Sequence, residues 1–282
     1  MLQVTHYADP ACPFDFSAEP QRQQLRWFYG DQLEWRTVLV GLAENPEAYA
    51  AKGLDTAFIA KAQDQLQRQH GMPIDPTERP RLAGTVRACR AVVATRLNAP
   101  ELHEAVLRRL RVRTMAGQLL DADETIDGAA SDVGLDPAEL ASWMASDATA
   151  AALAEDMRAA RTPHPVALVL DHKLSASEDG GRRYSCPSYE FSADGATRVA
   201  PGFQPWEAYD VELANLGATA GLTRRPAPTG VEEILEWADE PLATAEVAAL
   251  LGTDLASART KLLAAHAAFE PVGADGYWTA AA

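Results

Sequence analysis

The sequence predicts an α/β fold with a long all-helical interruption, and three observations carry that prediction. The segments "LQVTHY" and "LEWRTVLVGL" (residues 33–42) alternate and carry β-branched residues, so both are expected as strands. Between them "SAEPQRQQLRWFYG" places Leu25, Phe28 and Tyr29 at helical spacing and stops at Gly30. Strand-like sequence returns only after residues 46–163 have read as helical throughout. A strand, helix, strand unit normally forms a parallel pair with a right-handed crossover.

The middle block divides at its glycines, prolines and aspartates. "DTAFIAKAQDQLQRQHG" ends at Gly71, "RPRLAGTVRACRAVVATRLN" has apolar residues at helical spacing, and "PELHEAVLRRLRVRTMAG" runs from Pro100 to Gly117. "DADETIDGAASDVG", "DPAELASWMAS" and "DATAAALAEDMRAAR" each begin with an Asp suited to capping. After the block, "RRYSCPSYEF", the turn "SADG" and "ATRVAP" read as a hairpin, and "WEAYDVELANLG" as a helix packed on it. "TRRPAPTG" is a Pro-rich linker. Beyond it "VEEILEWA", "TAEVAALLG" and "LASARTKLLAAHAAF" are short helices, and "EPVGADGYWTA" is a closing hairpin.

Composition narrows the function. With 282 residues and a formal charge of −15, the chain is an ordinary globular protein for which nucleic acid and anionic membranes are repulsive partners. No apolar run is long enough to span a bilayer, and no basic, apolar leader precedes the first strand, so a cytoplasmic location is expected. The three cysteines, Cys12, Cys89 and Cys186, make neither a disulfide scaffold nor a zinc pattern, so no metal is expected. In a reducing compartment such thiols are reactive or buried rather than bridged.

Cys12 stands out by its setting in "ADPACPFDFS", between a strand and a helix start. Pro13 suits the first helical position, because its missing N–H would have no partner there. A thiol at a helix N-terminus faces unpaired amides and the helix dipole, which favour the thiolate. The alternative is a small apolar filler, since free cysteine is among the most buried residue types. Asp15 falls in the first turn, where a carboxylate is favourable through the dipole alone and opposes ionisation of Cys12.

The order of elements, with "DPACPFDF", the helical block leading to "AARTP", "SCPSYEF" and "PGFQPWEAYDVELANL", resembles the thioredoxin-like fold of the DsbA-like superfamily over about residues 1–220. That superfamily includes FrnE-type oxidoreductases, 2-hydroxychromene-2-carboxylate isomerases and kappa-class glutathione transferases. The resemblance implies a thioredoxin-like domain at residues 1–45 and 174–222 with a helical insertion at 46–173; outside it, the helix-turn-helix length and closing hairpin of residues 223–282 read as a small winged-helix-like appendage. The resemblance also implies a C-x-x-C turn, here altered to Cys-Pro-Phe-Asp, so that Asp15 stands where a resolving thiol would be. The family's cis-proline facing that turn is assigned to Pro187 rather than to Pro165, because a strand, a turn and a final helix follow Pro187. The residue before it, Cys186, then lies beside Cys12 and is expected to replace part of the missing thiol.

The implied function is single-thiol chemistry at Cys12 on a small thiol, disulfide or electrophile, as an oxidoreductase or as a transferase or isomerase. Cys186 is the second catalytic candidate, and Pro13, Phe14, Asp15, Pro187 and Tyr7 are the expected substrate contacts. No tightly bound cofactor is implied beyond a low-molecular-weight thiol as cosubstrate, and self-association into a homodimer is carried as an option. The competing class is a non-catalytic binding protein that kept the fold after losing the second cysteine. Cys89, on the apolar stripe of its helix, is expected in the core. His6 and Tyr7 end the first strand and either reach a substrate or pack. Nine arginines between residues 78 and 113 face three glutamates, a candidate anion site or, for most of them, a solvated face paired with the acidic remainder. The helix-turn-helix length of the C-terminal segment comes with four Lys/Arg against nine Asp/Glu over residues 223–282, a poor footprint for DNA.

Overall fold

The computed structural model describes residues 1–281, with the backbone alone at 218–220. Strand β1 (Leu2–Ala8) ends in the turn that carries Cys12, and helix α1 (Pro13–Ser17) starts on its proline. Ala18 departs from helical geometry, after which α2 (Glu19–Tyr29) carries the crossover to β2 (Leu33–Leu39). β1 and β2 pair in parallel from Leu2 opposite Leu33 to Ala8 opposite Leu39.

The helical block comprises α3 (Pro46–Ala50), α4 (Thr56–His70), α5 (Val86–Asn98), α6 (His103–Met115), α7 (Asp123–Ser131), α8 (Pro137–Met144), α9 (Asp147–Ala160) and the short α10 (Pro165–Leu168). Of the three expected Asp caps only Asp136 holds, accepting from the Ala138 N–H at 2.9 Å. Asp121 is drawn away by Arg81, which grips both its oxygens at 2.7 and 2.8 Å. Ser146 caps α9 in place of Asp147, which falls inside the first turn.

Chain return is made by two small ladders. β3 (Ser175–Ala176) pairs with β4 (Arg182–Arg183), and β5 (Ser188–Ala193) pairs with β6 (Ala196–Ala200). The expected hairpin arm "RRYSCPSYEF" is therefore split: Pro187 has no N–H to give a ladder, and β5 begins only after it. β5 lies antiparallel to β1, with His6 opposite Tyr189, so the sheet order is β2-β1-β5-β6. Helix α11 (Trp206–Ala220) follows.

Sheet and helices share two large cores. Ala8 and Leu39 face Cys89, Val92, Val106 and Leu110 of the helical block, and Cys89 is fully buried there. On the other side Val4, Phe191 and Tyr209 join Trp27 and Phe28 of α2. The C-terminal unit, α12 (Val231–Trp237), β7 (Leu242–Ala243), α13 (Thr244–Leu251), α14 (Leu255–Ala264), β8 (Ala268–Val272) and β9 (Asp275–Thr279), has winged-helix element order, with strands ordered β7-β9-β8. Its Val247, Leu250, Leu262 and Trp278 belong to that second core, so it is docked on α2 rather than tethered. Each large apolar side chain buried there contributes about 1.5–3 kcal/mol relative to exposure.

Candidate active site

Cys12 sits at the N-cap of α1 and is 6% exposed. Its position follows from local chemistry: the Cys12 N–H donates to the Asp9 carbonyl at 3.1 Å, closing the turn, and the Phe16 N–H donates to the Cys12 carbonyl at 3.0 Å, opening the helix. The Cys12 Sγ donates to the Cys186 carbonyl at 3.4 Å, across 174 residues of sequence. The Cys186–Pro187 peptide bond is cis, and Pro165 instead opens α10. Cys186 is itself 7% exposed, and both thiols are free. Burial, and then the hydrogen bond and charge of Cys12 beside it, push the Cys186 thiol well above the ordinary cysteine range.

A cleft of about 420 Å³ is lined by both cysteines. Phe14, Leu42, Leu174 and Phe203 form apolar parts of its wall, Lys173 and Arg183 supply cations, and His172 lies among them. Among the described lining residues there is no carboxylate. The cations arrive by a route the sequence did not suggest. The segment "HPVALVLDHKL" forms the four-residue α10 and then a 3₁₀ turn at Asp171–Lys173, which leads straight into the cleft wall. Phe14, 49% exposed, is the expected contact that does line the cleft.

The other expected contacts face elsewhere. Asp15 is 2% exposed and lines no part of the cleft. It is bound by His6 Nε2 at 2.9 Å, by the Asp9 N–H at 3.2 Å and by the Arg111 guanidinium. Burial opposes its ionisation, but Arg111 and His6 outweigh burial and hold its carboxyl below the usual range. Arg111 also holds Glu19; Arg108 lies 3.6 Å from Glu19 and 2.7 Å from Glu246, which accepts from the Ala243 N–H at the start of α13. Asp15 is thus the end of a buried ladder of alternating charge that runs to the C-terminal unit. Tyr7 packs on Tyr184 with ring centroids 4.0 Å apart, and His6 stacks on Tyr189 at 4.6 Å, so both serve the sheet rather than the cleft. Pro13 lies on a separate cavity behind the turn, and Pro187 is buried.

Among the described residues most of the arginine cluster resolves into ion pairs, Arg90 and Arg109 excepted. Arg81 meets Asp121, Arg87 meets Asp123, Arg96 meets Asp156 and Arg113 meets Asp132, while Arg108 and Arg111 belong to the buried ladder. Two groups at the site were not singled out from sequence. Asp9 is fully buried, accepts from the Ala11 and Leu42 N–H groups at 2.9 Å each, from Thr85 Oγ1 at 3.1 Å and from Cys89 Sγ at 3.5 Å, and burial raises its carboxyl above the ordinary value. Its place at the C-terminal end of β1, three residues before Cys12, was the available signal. Tyr49 of α3 has a phenol under the influence of Asp9, Cys12, Cys89 and Cys186, and nothing in "NPEAYA" announces that. No cluster of three or more His, Cys, Asp or Glu suited to a metal occurs among the described residues. Among them, too, no helix is long and apolar enough to cross a membrane.

The profile of the DSBA-like thioredoxin domain matches residues 3–163. No curated protein matches significantly. Among solved structures the chain is similar to one assigned as a protein disulfide isomerase from Nitrosomonas europaea, with TM-score 0.59 and 17% identity over 77% of this chain and 98% of that one. It is also similar to the cytosolic disulfide reductase DsbM from Pseudomonas aeruginosa, with TM-score 0.52 and 15% identity over 78% of this chain and 98% of that one. The same reductase with GSH gives TM-score 0.53 and 15% identity, covering 78% of this chain and 100% of that one. At such identities the likeness is one of fold, and it leaves a remainder of this chain comparable in length to residues 223–282. With the profile spanning more than half of its residues, the chain belongs to the DSBA-like thioredoxin domain family.

Proposed function

We propose that the chain is a thiol–disulfide oxidoreductase in which Cys12 is the nucleophile, Cys186 is the second thiol, and the substrate is a small anionic thiol or disulfide. The observation that carries this reading is the contact by which Cys12 Sγ donates to the Cys186 carbonyl at 3.4 Å, which sets the second cysteine beside the first. Lys173 and Arg183 around the cleft, with no carboxylate among the lining residues, favour an anionic partner. The disulfide reductase among the structural neighbours supports the same reaction class. An electrophile in the same cleft would meet the same thiolate, which is the transferase or isomerase form of the reading.

In the reductive direction the Cys12 thiolate attacks one sulfur of a disulfide RS–SR, forming Cys12–S–S–R and expelling RS⁻, which takes up a proton. Cys186 begins protonated, because burial and the neighbouring Cys12 push its thiol well above the ordinary cysteine range. Once Cys12 is a neutral mixed disulfide, the charge that raises Cys186 is gone and ionisation becomes easier. The Cys186 thiolate then attacks Cys12 Sγ and expels the second RS⁻. The substrate gains two electrons, the pair loses two, and two equivalents of a low-molecular-weight thiol as cosubstrate restore both thiols while becoming a disulfide. A reducing, cytoplasmic setting would keep the pair ready.

One feature favours a binding-only reading, the 6% exposure of Cys12. Iodoacetamide labelling of each cysteine against pH separates the two. The oxidoreductase reading expects Cys12 to label near pH 6 far faster than Cys89, and Cys12→Ser to abolish disulfide reduction. Equally slow labelling at all three cysteines contradicts it.

A further inference from the structure

A second cavity, of about 150 Å³, lies behind the Cys12 turn. Ala11 and Pro13 of the turn, Ile59 and Ala62 of α4, and Leu82, Ala83, Leu119 and Leu120 give it a mostly carbon wall. Its arginines are tied off at the rim, Arg79 on the Asp75 carbonyl at 2.8 Å and Arg81 on Asp121. Leu42 belongs to the wall of both this cavity and the cleft that holds Cys12 and Cys186, so the two spaces adjoin at that residue. At about 30 Å³ per water-sized volume the space accommodates about five such groups, the scale of a small ring or a branched alkyl chain.

Tyr49 forms part of this wall. Among the described residues its hydroxyl makes no hydrogen bond, although the phenol is within electrostatic reach of Cys12 and Cys186. Burial and then the nearby Asp9 push the phenol above its ordinary range, so it stays protonated and can donate. A hydrogen-bond donor with no protein partner, set in a mostly carbon wall that also carries Gln63, Thr114 and Gln118, is the arrangement by which ligand pockets orient a mostly apolar group.

We propose that this cavity receives the apolar arm of the molecule attacked by Cys12, past Leu42, and that the Tyr49 hydroxyl donates to an acceptor on that arm. The inference rests on Cys12 being the nucleophile, and adds that the substrate is amphiphilic: an anionic part held in the cleft by Lys173 and Arg183, and a small ring or alkyl arm behind the turn.

Methyl and benzyl methanethiosulfonate test it on the full chain. Each transfers its RS group to the Cys12 thiolate and releases methanesulfinate, and the benzyl to methyl rate ratio is compared with that of free N-acetylcysteine. Burial of the ring predicts a ratio about tenfold or more above the free thiol's. Ala62→Leu, checked for native circular dichroism, fills the cavity and returns the ratio to the free thiol's value. Tyr49→Phe lowers the rate with 2,2′-dithiodipyridine, whose ring nitrogen accepts a hydrogen bond, about fivefold relative to the benzyl reagent. A wild-type ratio equal to the free thiol's, or one that Ala62→Leu leaves high, overturns the cavity assignment. An unchanged dithiodipyridine to benzyl ratio in Tyr49→Phe overturns the role of the hydroxyl. Failure of Cys12 to outpace Cys89 even with the methyl reagent counts against the nucleophile itself.

Discussion

The two faces of α1 have gone opposite ways. One carries Cys12 and Phe14 into a cleft of about 420 Å³ rimmed by cations, while the other sends Asp15 into an interior where it meets Arg111 and His6. In a C-x-x-C turn both ends would be thiols. Here the first position is a cysteine, and the fourth is the terminus of an ion ladder reaching Glu246 at the start of α13. On the proposed reading, an aspartate at position 15 is compatible with a dithiol. Cys186 comes to Cys12 from across the sheet, so position 15 is free to fix the helix and the C-terminal unit to one another.

The strongest way to break this comparison is to empty the ladder. Arg111→Met leaves the Asp15 and Glu19 carboxylates buried without their shared cation, and should cost about 3–5 kcal/mol of unfolding free energy by denaturant titration. A loss under about 1 kcal/mol would mean that the ladder is solvated and the contrast between the two faces is superficial.

Asp15→Asn should be milder, and its cost should depend on pH. Because the folded-state pKa of Asp15 is depressed, the stability it contributes is fully present above the unfolded value of about 3.9 and is lost as pH falls through the folded value. The gap in urea midpoint between wild type and Asp15→Asn should therefore narrow below about pH 4. Asp9, six residues earlier, should behave in the opposite sense. Its folded pKa is raised by burial, so its contribution is full below the unfolded value and is lost as pH rises through the folded one. The gap between wild type and Asp9→Asn should narrow towards high pH. Parallel slopes for the two variants would show that the two acids share one environment.

The smallest effect expected is none at all. The C-terminal unit and its linker hold four Lys/Arg, and Arg224 and Arg225 lie over Phe28 and Trp27 at 4.2 and 3.7 Å from the ring centroids. Micromolar protein should show no salt-dependent retention on duplex DNA. Retention that falls with salt would make this unit a reader of nucleic acid rather than a docked part of the fold.

The fold was legible where the chemistry is local. Strand, proline-started helix and glycine stop announce β1, α1 and α2, and the apolar stripe around Cys89 announces a core helix. The thiol pair was legible only through the family order of elements, since 174 residues separate Cys12 from Cys186. What stayed hidden depends on partners distant in sequence. Asp15 read as a favourable first-turn acid, but Arg111 is 96 residues away and Glu246 lies beyond the linker. Asp121 read as a helix cap, and Arg81 claimed it instead. Tyr49 offered no pattern, because a single phenol in a five-residue helix gains meaning only from the cavity it lines.

The central claim is that Cys186 stands in for the thiol missing at position 15, and peptide mass spectrometry after mild oxidation with excess diamide tests it most directly. The account predicts a peptide linking Cys12 to Cys186, lost on reduction and absent from Cys186→Ser, with Cys89 still alkylatable after denaturation. Oxidised protein in which Cys12 and Cys186 both remain free, or in which Cys12 bridges only between molecules, would contradict it.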